Sequence, residues 1–448
     1  MKSVLLRATF VAALGGFLFG FDTAVISGTT EWLQKVFLLN DFQLGFTVAS
    51  ALIGTIIGSL LVGGPADKHG RRKTLFSVAV LYFVSALGSA FAWNWPSFLV
   101  FRFIGGLGVG GASVVSPMYI AELAPAQYRG RLVAVTQFNI VLGILAAFFS
   151  NYEISKLALG QAEWRWMFGV EALPAAVLFI LLFFNPCSPR WLIGQGKMEE
   201  AATVLVQCGT DCASVEEELE EIKKSLDMEH HKLDEPFFCD TYKKPIMLAV
   251  AIAMFNQLSG INALMYYAPK IFKLAGAGTE SALLQTISVG GINLIFTMAA
   301  MLIIDHFGRR KLMIVGSIGY IVSLGTTAAA FFIYGSNFDE TGSIVVLVSL
   351  LLFIASHAFG QGAVIWVFIS EIFPNRIRAR GQALGSFTHW VMAAFISWTF
   401  PMIAAASGGF AFAFYGLCMV GQLLWVLYAM PETKGVSLED IQRTLGIE

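Results

Sequence analysis

Charge is what this chain of 448 residues has least of. Asp, Glu, Lys and Arg make up 13% of it, against about 25% in soluble domains. Such a chain cannot surround itself with a solvated surface. The charges present nearly cancel, at net −1, so no basic excess points to nucleic acid. Cysteine is sparse too, at 187, 208, 212, 239 and 418. Cys208 and Cys212 lie four apart, but no second pair or histidine cluster follows, so they read as ordinary thiols rather than a metal site. Their number sets no redox compartment. Also missing are a phosphate-cradling glycine loop at a strand–helix junction, a metal-ligand spacing and a nucleophile motif. The expectation is therefore no enzyme, no catalytic residue, no cofactor, no metal and no ATP-driven pump. A cleavable leader is not expected either, because the first apolar segment carries an acid and reads as a retained span.

Apolar residues, at 56%, are abundant. They gather into twelve runs long enough to cross a bilayer, which needs about 20 residues. The runs lie near 8–28, 44–64, 74–92, 97–119, 131–150, 165–184, 246–269, 283–304, 312–334, 343–368, 381–404 and 409–430. The 44 glycines suit close packing of helices in lipid. The run Gly105-Gly106-Leu107-Gly108-Val109-Gly110-Gly111 lies within the fourth segment, so it reads as a packing face and not as a nucleotide loop. Placing both termini in the cytoplasm puts Lys35, Lys156, Arg165, Lys270 and Lys273 outside and Arg102 within a span. The other 23 of the 29 Lys and Arg then fall inside, which fixes the orientation. A plasma (inner) membrane is expected.

Between the sixth and seventh spans lies a polar stretch, about Asn185 to Lys244. Glu220 and Lys224 within it form an i,i+4 pair that favours helix. It reads as a cytoplasmic helical linker. The domain scheme is then 1–184, an N-terminal six-helix bundle; 185–245, the linker; 246–430, a C-terminal six-helix bundle; and 431–448, a tail.

The two halves repeat each other. Asp67-Lys68-His69-Gly70-Arg71-Arg72-Lys73 recurs as Asp305-His306-Phe307-Gly308-Arg309-Arg310-Lys311. Glu122-Leu123-Ala124-Pro125 with Arg129 recurs as Glu371-Ile372-Phe373-Pro374 with Arg378. Parallel bundles of this kind suit a rocking carrier with its site between the halves.

Asp22, in Gly20-Phe21-Asp22-Thr23-Ala24, is an acid within the first span. Such a residue costs roughly 2.5 kcal/mol or more on insertion scales, so it needs a partner, a proton or a water-filled path. Arg102, within span 4, is the candidate partner, and Glu171 in span 6 is a third intramembrane charge.

At this point the chain resembles the sugar porters of the major facilitator superfamily. The resemblance is carried by Gly20-Phe21-Asp22-Thr23-Ala24-Val25-Ile26-Ser27-Gly28, Pro117-Met118-Tyr119-Ile120-Ala121-Glu122 with Arg129-Gly130-Arg131, and Ser188-Pro189-Arg190-Trp191-Leu192. The second half adds Gln257-Leu258-Ser259-Gly260-Ile261-Asn262 with Tyr266-Tyr267-Ala268-Pro269, Ser370-Glu371-Ile372-Phe373-Pro374 and Pro431-Glu432-Thr433-Lys434-Gly435. The strings span nearly the whole chain. The implied fold is all-α, with twelve transmembrane helices. The implied function is a monosaccharide transporter: a sugar:proton symporter, with a facilitative uniporter as the alternative and a carrier-like sugar sensor a distant third. Sensors of that kind carry long tails, and only 18 residues follow Met430 here.

A neutral polyol calls for amides, which donate and accept, and for rings against its apolar face. Asn256, Gln257, Asn262 and Tyr266 in span 7 supply both, with Gly260 permitting an irregular helix. Isolated amides more often join helices, but three after a matching motif point to sugar. The resemblance adds Gln137, Asn293, Trp366, Trp390 and Phe19. For Trp366, near the inner end of its span, an interfacial anchor is the competing reading. Asn256 stands where relatives often have Gln. His389 stands where they place Asn or Gln, as a pH-sensitive group or as a neutral hydrogen-bonding substitute. Ala363 replaces a proline, which predicts less bending of span 10. Cys187 replaces an acid. His357 reads as a hydrogen-bonded packing residue. The resemblance implies that Asp67, Arg71, Glu122, Arg129, Asp305, Arg309, Glu371 and Arg378 form a cytoplasmic gate; interfacial topology is the plainer alternative. It implies proton coupling through Asp22, Arg102 and Glu171, against a static buried pair. The expected partners are a monosaccharide, protons and lipid, with one chain sufficient.

Overall fold

In the computed structural model, residues 2–210, 214–230, 236–335, 337–374, 377–436 and 438–447 are described. Among them no strand occurs, and twelve helical segments are long and apolar enough to cross a membrane. Numbered 1 to 12 in chain order, they are Ser3–Gly28, Asp41–Leu61, Arg71–Ala90, Trp95–Leu123, Gln127–Lys156, Gly160–Leu182, Asp240–Leu274, Thr279–Ile304, Arg309–Tyr334, Glu340–Ile372, Arg378–Ala406 and Gly408–Tyr428. Each coincides with one of the twelve apolar runs. Most extend past the run at one or both ends, because a helix continues into polar turns where its backbone groups still pair internally. Asn94 begins span 4 with a capping box, its side chain accepting from Ser97 N at 2.9 Å.

Three spans are broken. Span 6 is interrupted between the helices Glu163–Gly169 and Ala172–Leu182, which places Glu171 at the break. Span 7 divides into Lys243–Leu258 and Ile261–Leu274 at Gly260, whose φ of +84° is open to glycine and costly for other residues. Span 10 widens into a π-helical turn, Ala358–Gly362. With alanine and not proline at 363, the span still departs from a regular α-helix just before that residue. Gly360 in this turn meets Gly316 of span 9 so closely that a Cβ on either would lie 3.0 Å from the other's Cα.

Packing divides the chain into two compact units. The first comprises 1–23, 53–147 and 165–235, around a core that includes Leu18, Tyr82, Tyr119 and Leu178. Its tightest seam joins spans 1 and 5: a Cβ on Gly20 would strike the Ile140 carbonyl, and one on Gly143 the Phe17 carbonyl. Gly110, in the glycine run of span 4, packs the same way against the Thr55 carbonyl. The linker helices Pro189–Gly194, Met198–Cys208 and Val215–His230 complete this unit, and Lys224 lies 3.8 Å from Glu220.

The second unit comprises 24–52, 148–164 and 236–448. Within it Lys273 pairs with Glu31 at 2.7 Å and Lys270 with Asp41 at 3.7 Å. Trp398 stacks obliquely on Phe42 and Phe46, at 5.3 and 5.0 Å between ring centres.

Candidate functional site

Asp22 lies in the last turn of the helix Ser3–Val25, with 1% of its surface exposed. Arg102 Nη1 donates to its Oδ1 at 2.6 Å, and Nη2 donates to its backbone carbonyl at 3.3 Å. The guanidinium also sits over the Phe168 ring, 5.2 Å from its centre, a favourable cation–π position. Glu171 is equally buried, and its carboxyl interacts electrostatically with both Asp22 and Arg102. Among the described residues, neither Glu171 oxygen has a donor, and Ser85 Oγ and Tyr82 OH are also unpartnered. The three sequence-predicted charges are thus together, in one buried site with two acids and one cation.

The span 7 amides are also brought together, in the second unit. Asn262 Nδ2 donates to Gln257 Oε1 at 2.9 Å, and Gln257 Nε2 donates to Asn256 Oδ1 at 2.9 Å. Gln257 Nε2 also faces the His389 imidazole, 3.3 Å from Nδ1 and 3.2 Å from Nε2. His389 lies between two indoles: Trp366 is 5.2 Å away between ring centres and Trp390 4.9 Å. Trp366 is 39% exposed and Trp390 is buried. Tyr266 is buried. Asn293 is buried, and its Oδ1 accepts from Thr297 Oγ1 at 3.4 Å. Phe19 and Gln137 are half-buried members of the first unit. His357 Nδ1 meets Tyr320 OH at 2.6 Å, the packing role anticipated for it.

The repeated charged motifs have the same backbone. Gly70 has φ 88°, ψ 153°, and Gly308 has φ 88°, ψ 155°. In the first unit Arg71 lies 2.9 Å from Glu122 and 3.1 Å from Asp67, and donates to the Ala66 carbonyl. In the second, Arg309 grips both Glu371 oxygens, at 2.8 and 3.2 Å, and donates to the Ile304 carbonyl. Arg72 caps the carbonyls of Leu182 and Phe183, as Arg310 caps those of Val426 and Leu427. Arg129 is exposed and makes no ion pair among the described residues. Arg378 Nε has no hydrogen-bond partner among them. The side chain of Asp305 lies outside the described residues.

Sequence reasoning missed several partners of these clusters. Ser188 Oγ donates to Glu122, and Thr433 Oγ1 donates to Glu371 at 2.6 Å. Trp191 Nε1 donates to the Asp67 carbonyl at 3.0 Å. Glu432 accepts from the backbone N–H of Arg309 and of Arg310, at 2.9 and 3.1 Å. All four stand in family strings with no role yet assigned to them, which was the available signal.

Residues 8–445 match the family model described as "Sugar (and other) transporter". The chain is 41% identical to the D-xylose-proton symporter of Escherichia coli (strain K12), over 98% of this chain and 96% of that one. It is 37% identical to the glucose transport protein of Synechocystis, over 96% and 95%. Its structure is similar to an inward open conformation of the xylose transporter XylE from E. coli, with a TM-score of 0.87, 39% identity and coverage of 98% and 99%.

Proposed function

We propose, from the premise that this chain belongs to the Sugar (and other) transporter family, that it carries a monosaccharide and a proton together across a membrane by alternating access. It is an integral multi-pass protein with the major facilitator fold. The reading places both termini in the cytoplasm of a plasma (inner) membrane. It keeps the bundles at 1–184 and 246–430, the linker at 185–245 and the tail at 431–448, and it needs one chain, lipid and no cofactor.

The observation that carries proton coupling is the buried trio of Asp22, Arg102 and Glu171. One guanidinium neutralises one carboxylate. Among the described residues the second acid then has no ion-pair partner of its own and no donor, and a proton shared by the two carboxyls would supply the donor and remove the second charge. A shift in the Asp22–Arg102 distance between carrier states would load and release that proton. The sugar would meet the amides Asn256, Gln257 and Asn262, with His389 between Trp366 and Trp390 as the polar and aromatic wall, and with Tyr266, Asn293, Gln137 and Phe19 assigned by resemblance. The relatives' names include both xylose and glucose, so the substrate class is monosaccharide. Asp67, Arg71, Glu122, Arg129, Asp305, Arg309, Glu371 and Arg378 would form the cytoplasmic gate. The paired Arg–Glu contacts support that role, because they give each cluster a defined geometry that can be made and parted.

The test is uptake into proteoliposomes of D-xylose, D-glucose, D-galactose and myo-inositol, with an inward proton gradient and with it collapsed. Accumulation only with the gradient establishes symport and identifies the sugar. Equal levels in both conditions make the protein a uniporter and Asp22 a structural charge. No transport by folded protein removes the substrate class.

A further inference from the structure

Behind the span 7 amides lies a run of buried polar side chains that the transport reading leaves unused. It begins at Ser317 in span 9. Ser317 Oγ donates its one hydrogen to the Met313 carbonyl at 2.7 Å, so toward Gln422 of span 12 it can only accept, and Gln422 Nε2 donates to it at 2.8 Å. That sets the Gln422 amide, whose Oε1 then accepts from Gln361 Nε2 at 2.7 Å. Gln361 stands in the π turn of span 10. Its Oε1 accepts from Asn256 Nδ2 at 3.4 Å. Asn256 Oδ1 accepts from Gln257 Nε2, and Gln257 Oε1 accepts from Asn262 Nδ2, both at 2.9 Å.

An amide has one donating and one accepting end. A sense fixed at Ser317 therefore passes unreversed along the whole run to Asn262. Ser317, Gln422 and Gln361 have no exposed surface, and Asn256 and Gln257 have 2% and 1%. Water cannot relax the sense midway, and a reversed amide would bury donor against donor. Asn262 is the half-exposed end of the run. It spends one of its two amide hydrogens inward, and the run leaves its carbonyl oxygen unused. The same sense reaches His389. Gln257 Nε2 gives one hydrogen to Asn256 and turns the other to the imidazole, whose two ring nitrogens lie 3.3 and 3.2 Å away.

We propose that Ser317, Gln422 and Gln361 are positioning residues that fix the amide polarity of the sugar site, so that Asn262 presents an acceptor and selects a sugar hydroxyl that donates. The proposal rests on the assignment of Asn256, Gln257 and Asn262 to the substrate. Ser317, Gln422 and Gln361, which have no exposed surface, do not touch sugar themselves. They act by deciding which end of each amide the sugar meets.

The experiment compares binding of D-xylose and D-glucose with that of their monodeoxyfluoro analogues, by calorimetry on purified full-length protein. Fluorine cannot donate. At the hydroxyl facing Asn262 the wild type should prefer hydroxyl over fluorine by about tenfold or more, the loss of one buried hydrogen bond. Ser317→Ala frees the Gln422 amide to reverse, and the preference should fall to about threefold or less. Ser317→Thr keeps the hydroxyl and should keep the preference. Gln422→Met cuts the next link and serves if Ser317→Ala does not fold. A merely structural role would lower the melting temperature of the variants and leave the hydroxyl-to-fluorine ratio unchanged, and that result overturns the proposal. So does a wild type that binds the sugars without discriminating any fluorinated position. A folded wild type that binds no monosaccharide removes the transport reading itself, and this proposal with it.

Discussion

The Glu432 carboxylate accepts the backbone N–H of Arg309 at 2.9 Å, closing the first turn of span 9. It accepts that of Arg310 too, at 3.1 Å. The matching string in the first half reads Pro186-Cys187-Ser188 where the second reads Pro431-Glu432-Thr433. The hydroxyl is kept in both copies, and the anion is not. Span 3 therefore starts without the carboxylate that span 9 has. Cys187→Glu should supply it, for about 0.5–2 kcal/mol of stability. Thermal melting in detergent should rise for Cys187→Glu and fall for Glu432→Gln. No change in either would mean that water caps these turns as well as a carboxylate does.

Asp22→Asn removes the charge that meets Arg102 at 2.6 Å and retains a hydrogen-bond acceptor. The variant should fold, keep sugar exchange and lose gradient-driven accumulation. Arg102→Met instead leaves two acids buried without a cation, and should cost about 3–5 kcal/mol of stability. Counterflow with and without a gradient separates the two effects. Undiminished accumulation by Asp22→Asn would end the coupling role.

Glu171→Gln makes the neighbour of Asp22 permanently neutral. If the two carboxyls share a proton, uptake by this variant should depend less on external pH than uptake by the wild type. A pH profile superimposable on the wild type's would confine Glu171 to packing.

Glu31 and Lys273, 2.7 Å apart and both partly buried, should show coupling in a double-mutant cycle. Glu31→Gln and Lys273→Met should each weaken the fold, and the pair together should cost less than their sum by about 0.5–1 kcal/mol. Strict additivity would mean that the contact contributes nothing.

Cys208, in the linker, is 1% exposed, and burial pushes its thiol up to about 11 from 9.0. The native state then holds the proton more tightly than the unfolded chain. The stability from this group is complete below pH 9 and declines as pH rises from 9 toward 11. At pH 7 Cys208 should resist maleimide under conditions that label the partly exposed Cys187 and Cys239. Mass spectrometry of the labelled peptides decides this.

The spans were legible because apolar length is a direct demand of the bilayer, and Gly260 announced the break in span 7. The π turn of span 10 was not legible. Its Gly360 meets Gly316 across a helix interface, a contact that no single segment reveals. The Asp22–Arg102 pairing could be read, because few charges in the spans left few possible partners. The run from Ser317 to Asn262 could not. Ser317, Gln361 and Gln422 each look like an isolated polar residue in their own segments, and only packing lines them up with the span 7 amides. For the same reason Ser188 and Thr433, although they stand in family strings, did not reveal which distant glutamates they serve.

Spans 1 and 5 meet backbone to backbone at Gly20 and Gly143, with no room for a single added carbon. Asp22 lies two residues beyond the first of these contacts, so the place of its backbone is set by how span 1 seats on span 5, and a side chain added at either glycine would move the carboxylate without touching it.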